Sequence, residues 1–442
     1  MLESLYRILF LFALLFLAFL FGAWVTEEKV FPYGHLKQAY EGARALFVQK
    51  TEYRNLFHHD VWQRSRYGER GVRRHVSERA FDGLTLYTSS HAPQAYLIDM
   101  AGQVVHTWSL PFSRVWEDPP HIARPRGDEF VFWRKAWLYP NGDLLVVYVA
   151  QGDTPWGYGL VKLNRDSELL WAHPARIHHD VTVAPDGKIY TLSHEVLLQP
   201  LPDLQRIGIE PPYLDDSIEV LSSNGELLKK VSIGRALARS KFANLFKRLK
   251  AWQLLHTNTV KWVDEDTAAR FPFLKAGNVL VSARDLDALL AVDLEREEVT
   301  WALTGGWKGQ HDPDLLDNGH ILLFDNWGGF GPGGRSRVLE IDPMNGALTW
   351  SYEGTPEGPF DSWQRGAQQR LPNGNTLVTE SVAGRLLEIT AGGEIVWEFV
   401  NPVRAGEQGQ LTPYVMWGQR FHRKELTFLA GDETAVAEAV DN

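Results

Sequence analysis

From Gly83 onward the chain alternates short apolar runs with turn residues, and a two-part pattern keeps returning. The first part is a turn followed by an apolar strand: "YPNGDLLVV" (139–147), "APDGKIYTL" (184–192), "KAGNVLVSA" (275–283), "LDNGHILLF" (316–324) and "LPNGNTLVT" (371–379). Asn-Gly and Asp-Gly between apolar runs are strong β-hairpin signals, because both residues tolerate positive φ. The second part is an apolar strand, another turn and a strand ending in tryptophan: "LIDMAGQVVHTW" (97–108), "KLNRDSELLW" (162–171), "AVDLEREEVTW" (291–301), "EIDPMNGALTW" (340–350) and "EITAGGEIVW" (388–397). "VLSSNGELLKKV" (220–231) is the same element with valine in place of tryptophan.

Four short strands in a unit of about 40–60 residues, repeated six times, specify an all-β fold, a six-bladed β-propeller of four-stranded blades. A sandwich or barrel does not need a near-identical hairpin pair at each step. The blades fall near 83–110, 130–172, 178–232, 255–302, 310–352 and 364–400. The first lacks a clear inner turn-strand signal, and "PYVMWGQRFHR" (413–423) is placed to supply that strand and close the ring. The inserts "LLQPLPDLQRIGIEPPYLDD" and "GRALARSKFANLFKRLKAWQ" read as rim loops or a helix, the second basic and amphipathic. The recurring tryptophan accounts for much of a total of 17, and its predicted place is between neighbouring sheets.

A different pattern opens the chain. "ILFLFALLFLAFLFGAWV" (residues 8–25) has no charged residue, and its 18 residues just span a hydrocarbon core of roughly 30 Å as a helix. The sequence after it offers only a poor signal-peptidase site, which favours a retained anchor over a cleaved signal. Arg7 before the span and Glu27 and Glu28 after it favour an N-terminus in the cytoplasm, with the soluble part in the periplasm. The organisation read from the sequence is a transmembrane signal anchor (1–26), a partly helical connector (27–82), the propeller (83–423) and a C-terminal tail (424–442). Within the connector, "LKQAYEGARALFVQK" has helical periodicity. "RSRYGERGVRRHVSER" is basic enough to rest on anionic headgroups, or is simply a solvated surface.

Composition narrows the chemistry. A formal net charge of −10 and no compensating basic stripe argue against nucleic-acid binding. Cysteine is absent, which removes disulfides, thiolate metal sites and thiol catalysis.

In a propeller, residues at the head of each innermost strand converge at one mouth of the central channel. Arg134, His179, His311 and Gly366 stand at that position in their repeats, and the fourth repeat supplies His256 and Asn258 from "HTNTV". The far end of the following strand carries His194, Arg284, Asn326 and Ser381. One histidine on a strand is usually structural; three brought together by pseudo-symmetry point to a functional cluster, with a structural polar ring as the alternative. Imidazoles suit Zn, Cu or Fe, but Asn258 and Arg284 are poor company for a cation. A tetrahedral oxyanion fits that donor set better, and a neutral histidine among the donors can attack its central atom.

The segments "GLTLYTSSHAPQAYLIDMAGQVVHTW", "HHDVTVAPDG", "HTNTV", "SARDLDALLAVD", "GQHDPDLLDNGHILLFDN" and "QRLPNGNTLVTESVAGRLLEIT" resemble those of the arylsulfate sulfotransferases, across most of residues 83–423. These are six-bladed periplasmic propellers that work without a nucleotide donor. The resemblance implies ping-pong transfer of a sulfuryl group from an aryl sulfate to a phenolic acceptor through a sulfohistidine, with no metal or other cofactor. His311 in "GQHD" matches the nucleophile; His256, Asn258 and Arg284 match donors to the sulfuryl oxygens. His179 matches a channel histidine suited to acid/base work, and Thr379 or Ser381 in "TES" matches a further polar contact. Asp312 either orients an imidazole or terminates a turn. The chain departs from the best-known members in lacking cysteine, a separate N-terminal β-domain and a histidine at the head of blade six ("WQRGAQQR"), which leaves oligomeric state and acceptor specificity open. Two other readings of a tryptophan-rich propeller are a non-catalytic envelope scaffold or ligand-binding module and a quinone-cofactor dehydrogenase; six blades and no metal-carboxylate constellation argue against the latter.

Overall fold

The computed structural model describes residues 2–28, 30–33, 61–153, 155–249, 255–327 and 335–430. The chain forms two compact units, Met1–His59 and Asp60–Asn442. In the first, residues Leu2–Glu28 form one helix. Its segment Leu5–Glu28, with a mean hydropathy of 2.8 in its most apolar window, is long and apolar enough to cross a membrane. Leu5, Leu9, Leu11, Phe10, Phe12 and Phe16 on it are exposed. The helical periodicity of 36–50 lies outside the described residues.

The second unit is a ring of six four-stranded antiparallel blades, spanning 131–173, 177–232, 257–304, 311–352 and 367–400 for blades two to six. Blade one takes its innermost strand, Val415–Phe421, from the end of the chain and its other three from residues 84–109. The ring is therefore closed by hydrogen bonds between the two ends of the unit. Residues 61–82, placed in the connector by the sequence, contribute two strands. Gly71–His75 adds a fifth, outer strand to blade six, and Trp62–Arg64 pairs with Leu411–Pro413. At the other end Leu426, Phe428 and Leu429 are buried against blades one and two.

The inner hairpins form where the Asn-Gly and Asp-Gly signals stand, though only the glycine takes positive φ. Gly142, Gly187, Gly277, Gly319 and Gly374 lie between 82 and 88°. The Gly142 N–H donates to the Tyr139 carbonyl while the Asn141 side chain accepts from Asp143 N–H. This is a type I turn completed by a left-handed glycine, a close relative of the two-residue hairpin turn.

The tryptophans bind blade to blade. The indole N–H of Trp108 in blade one donates to Gly142 O in blade two, Trp171 in blade two to Ser223 O in blade three, Trp350 in blade five to Ala391 O in blade six, and Trp397 in blade six to Met100 O in blade one. These four outer strands thus each deliver a large apolar ring and one directed hydrogen bond to a turn of the next blade. Replacing Trp350 by Phe keeps the ring and removes the bond of 2.8 Å. The expected loss is about 1 kcal/mol of unfolding free energy in a denaturant titration.

The second insert folds as a helix, Ile233–Arg239, whose start is capped by the Ser232 hydroxyl accepting from Arg235 N–H. It buries Ile233, Ala236 and Leu237 against blades three and four. The first insert lengthens the central hairpin of blade three and carries a single helical turn, Pro202–Gln205.

Candidate functional site

Five of the six innermost strands carry a bulge, with register breaks after Trp133, His178, Thr257, His311 and Val415. A bulge leaves residues unpaired and re-aims their side chains. Within or beside these bulges His179, His256 and Asp312 adopt left-handed backbone, with φ of 59, 49 and 47°. That conformation costs a residue with a Cβ roughly 1–2 kcal/mol and tends to be retained where function needs the side chain aimed. Counted by strand register, His178, Thr257 and His311 occupy the last rung before the bulge. His179 lies one step further, in the bulge.

These strands line a small cavity whose walls include Arg134, Lys135, His179, Asn258, His311 and Gly366. His311 is buried, and its Nδ1 lies 2.9 Å from Gly309 O and 2.7 Å from Asn326 Oδ1. The orientation of Asn326 is itself determined, because its Nδ2 donates to the carbonyls of Ser362 and Arg365. Two acceptors at Nδ1 place the ring's proton there, so Nε2 carries the lone pair. Burial, reinforced by the nearby Arg134 and Arg284 charges, holds the His311 pKa down to about 3. The ring is neutral across the physiological range.

Around this imidazole stand donors. Arg284 reaches His256 Nδ1 at 3.2 Å, which leaves the His256 proton on Nε2. The His256 ring lies 5.2 Å from His179 and 5.1 Å from Trp156, centroid to centroid. Asn258 donates one amide N–H to Gln310 O and accepts from the Thr259 hydroxyl, keeping its second N–H. Arg134 donates to Met416 O. Burial and the charge of Arg365 lower the Arg134 pKa to about 9, so it remains cationic at neutral pH. His179 and His256 are both held well below the usual histidine range, by burial first and then by cationic neighbours. The result is a cavity wall that sets the Arg134 and Lys135 cations beside the Asp180 and Asp312 carboxylates, with the neutral His311 ring among them.

Along the same cavity wall the charges alternate. Lys135 pairs with Asp180 at 2.9 Å, and Lys261 pairs with Asp312 at 3.2 Å and Asp314 at 2.7 Å. Asp312 belongs to this network, so the His311 imidazole is oriented by Asn326 and not by its neighbour in sequence.

Among the described residues, His178, His194 and Asp216 have the composition of a metal site, with ligating atoms within 4.8 Å of one another. His194 Nε2, however, accepts the Gly157 N–H at 3.2 Å, which puts its proton on Nδ1. Neither nitrogen is then free to ligate, and the group is short of a third ligand.

A profile described as "Arylsulfotransferase (ASST)" matches residues 137–402. The chain belongs to the arylsulfotransferase family. Curated proteins include no match. Solved structures match at low identity. A protein of unknown function from Bacteroides caccae is 13% identical, over 76% of this chain and 99% of that one, with a TM-score of 0.47. A virginiamycin B lyase from Staphylococcus aureus is 12% identical over 61% of this chain and 69% of that one, with a TM-score of 0.34.

Of the residues singled out by repeat position or by the resemblance, His179, His256, Asn258, Arg284 and His311 come together with Arg134. The others stand elsewhere. Asn326 is committed to His311 and to blade six, so it acts on the imidazole and not on a ligand. His194 is buried behind the cavity, its ring 4.3 Å from that of His178. Thr379 and Ser381 are buried within blade six without hydrogen-bond partners for their hydroxyls, away from the cavity lining. Sequence reasoning missed His178, Asp216, Trp156 and Arg365. His178 was visible as the first histidine of "HHD", but only the tertiary structure shows its Nδ1 2.7 Å from that of His179.

Proposed function

We propose that this protein transfers a sulfuryl group from an aryl sulfate to a phenol by a ping-pong mechanism through a sulfohistidine on His311. The observation that carries the reading is the locked tautomer of His311 beside a pocket of cationic and amide donors. In the first half-reaction Nε2 attacks sulfur, the S–O bond to the aryl group breaks, and the phenolate leaves with a proton from His179. Positive charge building on the His311 ring is taken up by the two acceptors on Nδ1. Arg284, His256, Asn258 and Arg134 hold the three sulfuryl oxygens, on which charge spreads in a loose transition state. In the second half-reaction a phenol gives its proton to His179, its oxygen attacks sulfur, and the S–N bond breaks to restore His311. No step calls for a metal or other cofactor.

The N-terminal helix fits a single-pass anchor in the cytoplasmic membrane, with its N-terminus in the cytoplasm and the propeller in the periplasm. Protease added to spheroplasts should degrade the propeller in that arrangement; full protection would reverse the topology.

Mass spectrometry after mixing with excess 4-nitrophenyl sulfate tests the chemistry. A sulfuryl adduct is expected on the peptide containing His311; a protein that releases 4-nitrophenol while the adduct sits on another residue refutes the assignment. Because the His311 lone pair persists well below pH 6.5, adduct formation should not fall between pH 7 and pH 5, where an ordinary histidine becomes protonated. Arg284→Ala should slow it about 10²-fold.

A further inference from the structure

His179 faces a difficulty as an acid. It is held neutral, so it has no imidazolium proton to give. A neutral imidazole donates from Nε2 only if it accepts at Nδ1 in the same event. The partner at Nδ1 is His178, whose own Nδ1 lies 2.7 Å away. Two adjacent nitrogens at that distance share one proton, donated by one ring and accepted by the other. On the far side of His178, Nε2 lies 3.6 Å from Asp216 Oδ1. Asp216 is anchored through its other oxygen, which accepts the Thr257 N–H at 2.6 Å and the Thr257 hydroxyl at 2.5 Å. His178 and Asp216 are fully or nearly fully buried, and His178 Nε2 makes no hydrogen bond closer than this approach to the carboxylate.

We propose that Asp216 and His178 form a proton relay behind His179, storing a proton between the two half-reactions. When the phenolate leaves, His179 Nε2–H protonates it, His179 Nδ1 takes the proton of His178 Nδ1, and His178 Nε2 takes the proton of Asp216. Asp216 is left as a carboxylate. When the acceptor phenol arrives, each transfer reverses and Asp216 is reprotonated, so no proton has to cross the buried wall of blade three. Burial raises the Asp216 pKa to about 7, so the carboxyl can hold or release the proton near neutral pH. Around these groups His194, protonated on Nδ1, stacks on His178; Trp156 lies against both rings; the Ser193 backbone and Glu219 favour a protonated His178 and Asp285 a protonated Asp216, while Arg134 opposes charge on His178. The 3.6 Å step is longer than a formed hydrogen bond, as is common for proton-transfer contacts before substrate binds.

His178 and Asp216 are positioning residues that act through His179, and the inference rests on the sulfotransferase reading. Asp216→Asn keeps an oxygen for Thr257 and turns an amide N–H₂ toward His178, which freezes the relay. His178→Gln interrupts it one step nearer the substrate. The readout is the rate of His311 adduct formation with phenyl sulfate and with 4-nitrophenyl sulfate, whose phenol is far more acidic and needs little help to leave. Each variant should slow phenyl sulfate at least about 10²-fold more than 4-nitrophenyl sulfate, with a circular-dichroism spectrum and melting profile like the parent's. A folded Asp216→Asn or His178→Gln protein that slows both donors equally, or neither, overturns the relay; either variant suffices if the other does not fold. A parent protein that forms no His311 adduct with either donor refutes the sulfotransferase reading instead, before any variant is compared.

Discussion

His311→Asn should lower turnover of 4-nitrophenyl sulfate by at least about 10³-fold and abolish the covalent adduct, with the fold intact. The size of the effect follows from geometry. Asparagine at this position keeps a polar side chain of similar reach and can still donate to Gly309 O or Asn326 Oδ1, so the buried acceptors that surround Nδ1 keep a partner. It has no lone pair of comparable nucleophilicity to offer the cavity. The cationic donors remain, so the variant should still bind the aryl sulfate and show its loss in the rate of the chemical step. Undiminished turnover would mean that sulfur is attacked by some other group, and with it the role assigned to Asn326 would fall. A matched substitution, Asn326→Leu, leaves the nucleophile but unlocks its tautomer, and should give an intermediate loss.

Arg420→Ala should destabilise the propeller by about 3–5 kcal/mol, read as a lowered midpoint in denaturant unfolding. Arg420 lies on the strand that closes the ring and is 2% exposed. Its Nε donates to the Thr85 hydroxyl at 2.6 Å on the next strand of blade one, and Nη1 donates to Phe81 O and to Glu388 of blade six at 3.2 Å. The guanidinium also lies 4.7 Å from the ring of Trp397. One side chain therefore joins the last strand of the chain, the first strand of blade one and the neighbouring blade. Truncating it strands the Glu388 carboxylate, itself 0% exposed, without its cation. Its remaining partners, Phe81 N–H and the Asn375 amide, carry no formal charge. A buried pair adds little over an apolar pair of the same shape, yet removing one partner is costly. Accordingly Arg420→Met combined with Glu388→Leu should lose much less than Arg420→Ala alone. If the single substitution changes the midpoint by less than the double one, the ring is closed by backbone pairing and packing without need of this ion pair.

Blade boundaries, the closing strand and the role of the tryptophans were legible in the sequence because each rests on a local pattern. A turn glycine must sit where φ is positive, an apolar strand must follow it, and a large aromatic returns at the edge of each sheet. The strands between 61 and 82 were not legible, because strands such as Gly71–His75 have only one paired neighbour and expose much of their length, so they lack an apolar periodicity. Counting back from a turn located the histidines approximately, and that method fails across a bulge. It placed His179 level with His311, whereas pairing register puts His178 there. It also gave His194, Arg284, Asn326 and Ser381 a common position, although only Arg284 and Asn326 reach the cluster, Arg284 through His256 and Asn326 through His311.

By itself, the amino-acid sequence determined a six-fold all-β ring, an apolar helix long enough for a membrane, and a set of imidazoles and arginines brought to one mouth, since these follow from periodicities that repeat in neighbouring residues. Tertiary structure alone decided which nitrogen of each histidine holds the proton, which neighbour aims it, and which acid stands behind it. Those choices are made by carbonyls, amides and carboxylates of other blades, such as Asn326 for His311, Arg284 for His256 and Thr257 for Asp216, and no local pattern encodes a hydrogen bond between residues so far apart in the chain.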